Sequence, residues 1–120
     1  MRVAIIPADT EKRIEFKDIE SKLSEYQKIV GGYIEAVRLV DNNVSVAMDY
    51  YVNEDGIAEG LPYNERATRL YELSFGVRGY ILGDAVAIGG IDQYGNDKGL
   101  SAAQETHLKA FDEMYDEWRL

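Results

Sequence analysis

Residues 101–118 read SAAQETHLKAFDEMYDEW, and they predict the clearest element in the chain. Ser101 and Gln104 have the spacing of a capping box, in which each side chain bonds to the other residue's backbone N–H. Apolar side chains then recur at helical intervals, namely at Leu108, Phe111, Tyr115 and Trp118. Most of the remaining positions are acidic or small. The segment therefore predicts an amphipathic C-terminal helix that needs an apolar surface to pack against.

The chain before this helix alternates between strand and helix patterns. Residues 80–88 are almost wholly apolar and predict a buried strand, followed by a loop over 89–99. Residues 2–8 with 13–17, and 33–40 with 44–52, predict two hairpins. A first helix is predicted from an Asp18 N-cap to Val30, before Gly31, and a short second one after Asn64, with 57–63 extended. The result is one α+β domain over residues 1–120, in the order ββαββαβα, with a mostly antiparallel or mixed sheet whose strand order stays open.

The composition and net charge of the chain argue against several kinds of site and partner. The chain has 120 residues, a net charge of −9 and no cysteine, so disulfides, thiolate metal sites and cysteine nucleophiles are excluded. The acidity opposes direct binding to nucleic acid, which requires a basic surface. No apolar run is long enough for a membrane helix, and no signal peptide is predicted, so a cytoplasmic protein is expected.

No arrangement of catalytic or metal-binding residues is recognisable. His107 is the only histidine and lies within the C-terminal helix, and the sequence has no nucleophile elbow, Walker A string or dinucleotide fingerprint. No cofactor and no metal are therefore predicted. Glu35 and Asp84 each interrupt an apolar strand, and with Asp49 they form the alternative hypothesis of a carboxylate- or metal-dependent hydrolase.

Two groups of residues are candidates for binding. The first joins a helix N-terminus to positive charge, which is favourable for a phosphate or carboxylate, and its members are Tyr63, Asn64, Arg66, Thr68 and Arg69. An Asn-capped helix with surface ion pairs explains the same residues without a ligand. The second is a candidate partner surface on the C-terminal helix, formed by Asp112, Asp116, Glu117 and Trp118. The apolar stripe of that helix either docks on its own sheet or pairs with another subunit to give a homo-oligomer.

Four short motifs resemble a known family. They are residues 30–35 (VGGYIE), 53–56 (NEDG), 61–68 (LPYNERAT) and 83–86 (GDAV). In this order they resemble a small domain of unknown function found in phage and plasmid proteins and inside polyvalent proteins of mobile elements. The resemblance covers residues 3–90, so the first 90 residues are the family-like region and residues 91–120 add a loop and the C-terminal helix.

The resemblance implies a protein made inside a bacterium by a phage or mobile element, where such proteins often blunt host defence by binding. Two targets follow. A nucleotide-type small molecule would be sequestered at the Asn64, Arg66 and Arg69 region. Alternatively, the acidic surface would inhibit a host protein by imitating DNA. The favoured hypothesis is non-catalytic binding of the small molecule, with the DNA mimic, the assembly module and the hydrolase as alternatives.

Overall fold

The computed structural model describes residues 1–39, 48–75 and 79–118. The elements in chain order are β1 (Arg2–Ile6), β2 (Glu15–Asp18), α1 (Leu23–Val30), β3 (Ile34–Leu39), β4 (Met48–Asn53), α2 (Glu65–Phe75), β5 (Ala85–Ile88), β6 (Gly90–Ile91), β7 (Asp97–Lys98) and α3 (Ala102–Trp118). The predicted α+β class and element order are confirmed. The loop predicted over 89–99 contains the small β6–β7 hairpin.

Five strands form one antiparallel sheet in the order β2-β1-β5-β4-β3. Side chains of successive strand residues point to opposite faces, and both faces of the central strands are covered. One face packs against α2 and α3 through Ala67, Leu70, Leu108 and Phe111. The other face packs against α1 through Tyr26 and Val30. The sheet is therefore a layer between helices, and α3 docks within its own chain.

The capping box of α3 forms as predicted. The Ser101 N–H donates to Gln104 Oε1 at 2.7 Å, and the Gln104 N–H donates to Ser101 Oγ at 3.1 Å. Leu108, Phe111 and Tyr115 are all buried, as their spacing predicted. Three of the four stripe residues are thus used in packing inside the chain, and the side chain of Trp118 lies outside the described residues.

The predicted start of α1 is wrong. Asp18 is the last residue of β2 and lies opposite Arg2, while Ile19 donates its N–H to the Met1 carbonyl at 2.9 Å. The helix begins at Leu23, its N-cap Lys22 makes no side-chain capping bond, and it ends at a left-handed Gly31 as predicted. Pairing with β1 therefore continues through the position that the sequence offered as a cap.

Two extended segments are shorter than predicted. Residues 54–60 form turns, with the Glu59 N–H donating to the Asp55 carbonyl at 2.9 Å, so the extended segment predicted from residue 57 is wrong at its start. The strand predicted over 80–88 is regular only in β5. Gly83 lies just before β5 and adopts a φ of 77°, which glycine tolerates. The backbone therefore departs from strand geometry at this residue. The predicted turn at 41–43 lies outside the described residues.

Candidate functional site

Asn64, a residue of the predicted anion site, is a fully buried helix cap. Its Oδ1 accepts the Ala67 N–H at 3.0 Å, and its Nδ2 donates to the carbonyls of Ile6 and Gly83 at 2.8 and 2.9 Å. One side chain therefore caps α2 and joins it to β1 and to the turn before β5. The predicted cap is confirmed, and its polar atoms are used inside the protein.

Arg66 is the largest fully buried side chain in the described residues. Its Nη1 donates to Asp112 at 2.9 Å, and its Nη2 donates to the carbonyls of Pro7 and Asp9, each at 3.0 Å. Its guanidinium also lies 5.7 Å from the ring centre of Tyr115. The charge of Arg66 therefore joins α2 to α3 and to the loop after β1.

The other three predicted ligand residues divide between core and surface. Thr68 is fully buried, and its Oγ1 accepts the Ile81 N–H at 3.1 Å. Arg69 is exposed, and Tyr63 is 45% exposed with its ring centre 5.5 Å from that of Tyr80. The structure thus brings Asn64, Arg66 and Thr68 together inside the protein, whereas Arg69 and Tyr63 remain available. Ligand binding by this group stays a prediction.

The three acids of the predicted partner surface on α3 also divide between the core and the surface. Asp112 is buried and accepts bonds from Arg66 and from the Ile14 N–H at 3.3 Å. Asp116 forms an ion pair with Arg13 at 2.6 Å, and Glu117 is exposed. Of these acids, only Glu117 presents a carboxylate that is both exposed and without an ion pair to a described residue. Partner binding here also stays a prediction.

The three acids of the hydrolase hypothesis lie apart. Glu35 is exposed on β3, and Asp84 is exposed and accepts the Ala8 N–H at 2.9 Å. Asp49 is buried on β4 beside Arg38, and its burial raises the pKa of its carboxyl group. Glu35 pairs with Val52, and Asp49 lies three positions before Val52 on the same strand. Because successive strand residues alternate between faces, Glu35 and Asp49 point to opposite faces of the sheet.

A buried cluster on the α1 side joins the β6–β7 hairpin to the sheet. The two carboxylate oxygens of Asp97 accept the hydroxyl groups of Tyr26 at 2.7 Å and Tyr51 at 2.9 Å. The tyrosine ring centres are 4.6 Å apart. Burial and the bond to Asp97 raise the pKa of Tyr26 to about 12, and the same two causes raise the pKa of Tyr51. Both hydroxyl groups are therefore neutral hydrogen-bond donors at physiological pH.

An exposed surface around the turn at residues 54–60 was not predicted from the sequence. We call it the acidic turn surface. It combines exposed carboxylates with exposed apolar side chains, and its members are Glu35, Glu54, Asp55, Glu59, Tyr33, Ile57 and Tyr80. Ile57 is 80% exposed, Tyr80 71% and Tyr33 69%. Exposed apolar side chains that are grouped and bordered by polar residues are typical of interaction sites.

Residues of the turn line two depressions. The first, the β3 cavity, has a volume of about 350 Å³ and lies between β3, α2 and residues 79–82. Glu54, Gly56 and Ile57 contribute to its wall. The second has a volume of about 440 Å³ and is more open, with Tyr33, Asp55 and Glu59 in its wall beside Lys28. The surface therefore offers concave sites on a strongly acidic background.

One signal in the sequence pointed to this surface. Residues 31–60 contain six acids and a single basic residue, and this excess was visible from composition. The apolar part was not visible, because Tyr80 is far along the chain and lies near the turn through tertiary contacts such as the pairing of Leu82 with Tyr63. The apolar pattern of residues 80–88 predicts a buried strand, and this prediction is wrong for the side chain of Tyr80.

The described residues contain neither a helix suited to span a membrane nor a group of metal-binding side chains. Within residues 1–39, 48–75 and 79–118, no helix has the length and apolar character needed to cross a membrane. Across the same three ranges, no three His, Cys, Asp or Glu side chains are grouped so that they could hold a metal ion.

Comparison with known proteins gives one match. A family model described as a domain of unknown function, DUF3846, matches residues 1–116. The match continues through most of α3, beyond the residue 90 at which the sequence resemblance ended. Curated proteins and solved structures give no match. The chain therefore belongs to the DUF3846 domain family.

Proposed function

We propose that this protein is a non-catalytic binding domain that uses the acidic turn surface to bind a basic protein partner. The observation that carries the proposal is that Glu54 lines one cavity with the exposed side chains of Ile57 and Tyr80. Asp55 and Glu59 of the same turn line the second depression and are also exposed. Complementary charge accelerates association and selects partners, while buried aromatic residues supply most of the affinity at interfaces. The mixture of the two is suited to a protein partner.

The resemblance to phage and plasmid proteins supports a setting for this function. In that setting the protein is made in the cytoplasm of a bacterial host, and its partner is a host protein with a basic surface, such as a defence enzyme that binds DNA. The net charge of −9 favours association with such a partner. An acidic inhibitor of a host protein is one of the alternatives that the sequence predicts. The binding surface proposed for it now is the acidic turn surface instead of α3.

A nucleotide-type ligand has less support. Arg66, the central cation of that hypothesis, donates to Asp112 and to two backbone carbonyls in the core. Among the predicted cations, only Arg69 is left exposed for a phosphate. The β3 cavity carries two carboxylates, which repel an anion.

The test compares two double variants with the same charge change. Glu54→Gln/Glu59→Gln alters the acidic turn surface, and Glu113→Gln/Glu117→Gln alters exposed acids of α3. Each double variant removes two negative charges and changes the net charge from −9 to −7. Tagged proteins are used to capture partners from bacterial cytosol, and each partner is measured by quantitative mass spectrometry at low and high salt.

We expect a basic protein to be retained by wild type and by the α3 variant, and lost with the turn variant or at high salt. Loss with the α3 variant alone would move the site to the helix. A small molecule seen by native mass spectrometry and lost with Arg69→Ala would favour sequestration of a nucleotide instead.

A further inference from the structure

The β3 cavity has a wall of two distinct kinds. Its apolar part includes Val37, Val52 and Ile81, of which Val52 and Ile81 are buried and Val37 is partly buried. Glu35 and Val37 are two residues apart on β3 and therefore share the face that borders the cavity. Tyr71 of α2 and Tyr80 add aromatic rings. The cavity wall thus combines apolar, aromatic and acidic side chains.

Among the described residues, the charged side chains that line the cavity are all acidic. They are Glu35 and Glu54, which are both exposed, and no Lys or Arg of the described ranges lines the cavity. Among residues 1–39, 48–75 and 79–118, neither carboxylate forms an ion pair. A cation that enters this cavity would therefore meet two carboxylates that no described residue neutralises.

Resting on the proposed function, we propose that the β3 cavity binds an arginine side chain of the partner protein. The methylene stem of arginine packs against apolar side chains while its guanidinium stays near polar groups. The planar guanidinium also stacks on tyrosine rings and pairs with carboxylates through two parallel bonds, whereas lysine presents only a compact ammonium. The apolar, aromatic and acidic parts of the cavity match these three parts of arginine.

The volume agrees with an occupant of this size. Cavities that take a small ligand have about 300–1,000 Å³, and the β3 cavity, at about 350 Å³, is near the lower limit. One long side chain fits such a space. A folded element of a partner would remain outside, on the acidic turn surface.

The probe is Nα-acetyl-arginine amide, titrated into the ¹⁵N-labelled full chain and followed by amide chemical shifts. Nα-acetyl-citrulline amide has nearly the same shape without the charge and is the matched control probe. We expect shifts at residues 35–37, 52–57 and 79–82 with arginine and much smaller ones with citrulline. Glu35→Gln should weaken binding by roughly threefold or more, and Glu15→Gln on β2, at the opposite sheet edge, should not.

Equal shifts with both probes, tighter binding of Nα-acetyl-lysine amide, or no shifts up to millimolar arginine would overturn the inference. These results are distinguishable from failure of the proposed function. If the turn variant loses a basic partner but arginine does not bind, only the cavity assignment fails. If arginine binds in the cavity but the turn variant retains every partner, the acidic turn surface is not the partner site.

Discussion

Replacement of Asp112 by alanine should be the most damaging single charge change in the protein. Asp112 is buried and accepts the Arg66 Nη1–H at 2.9 Å and the Ile14 N–H at 3.3 Å. The variant leaves the guanidinium of Arg66 in the core without its carboxylate. Removal of one partner from a buried ion pair costs about 3–5 kcal/mol. A small domain has about 5–15 kcal/mol of stability in total, so the loss is a large fraction of it.

Urea denaturation followed by circular dichroism at 222 nm measures the free energy of unfolding for each variant. The matched control is Asp116→Ala, which breaks the more exposed pair with Arg13 and should cost about 1 kcal/mol or less. Arg66→Met supplies a second check through a double-mutant cycle. It should destabilise wild type but stabilise the Asp112→Ala variant, because there it removes an uncompensated buried charge.

Two results would refute this reasoning. One is a loss from Asp112→Ala no larger than that from Asp116→Ala. The other is an equal cost of Arg66→Met in both backgrounds, which would mean that the two side chains are not energetically coupled.

Two further predictions concern stability. Burial raises the pKa of Asp49 above its ordinary value of 3.8, so the carboxyl group binds its proton more tightly in the native state than in the unfolded chain. The free energy of unfolding therefore decreases as the pH rises from about 3.8 through the raised pKa of the native state. Asp49→Asn should therefore be more stable than wild type at pH 7 but not at pH 3 in urea denaturation, and a lower stability at pH 7 would contradict this. Ser101→Ala should cost about 1 kcal/mol through loss of the α3 cap, whereas Thr106→Ala on the exposed face should be nearly neutral in thermal denaturation.

The features that the sequence predicted well are local ones. The capping box needs only Ser101 and Gln104, three residues apart, and the buried stripe of α3 needs only its own periodicity. The start of α1 was missed because Asp18 is held by pairing with Arg2, a contact that local propensity does not contain. Short-range patterns therefore predicted element type, and long-range pairing decided element ends.

The candidate site was harder to predict for the same reason. Arg66 next to a helix N-terminus has the features of an anion site, but Asp112 is 46 residues further along and neutralises it in the core. The acid excess of residues 31–60 was visible, whereas the approach of Tyr80 to that region depends on the fold. A charge can be counted from sequence, but its partner is assigned by tertiary structure.

The order of the strands also bears on how the protein is made. β5 lies between β1 and β4, and within the described sheet it alone connects the β1–β2 hairpin to the β3–β4 pair. When only the first 53 residues have been synthesised, the β1–β2 and β3–β4 pairs are complete, but β5, the strand that lies between them, has not yet been made. Arg66 then emerges well before Asp112, so its charge stays in water until α3 arrives. Asp112 has to be synthesised before this ion pair can form, and long-range strand pairing of the kind seen in this sheet folds slowly.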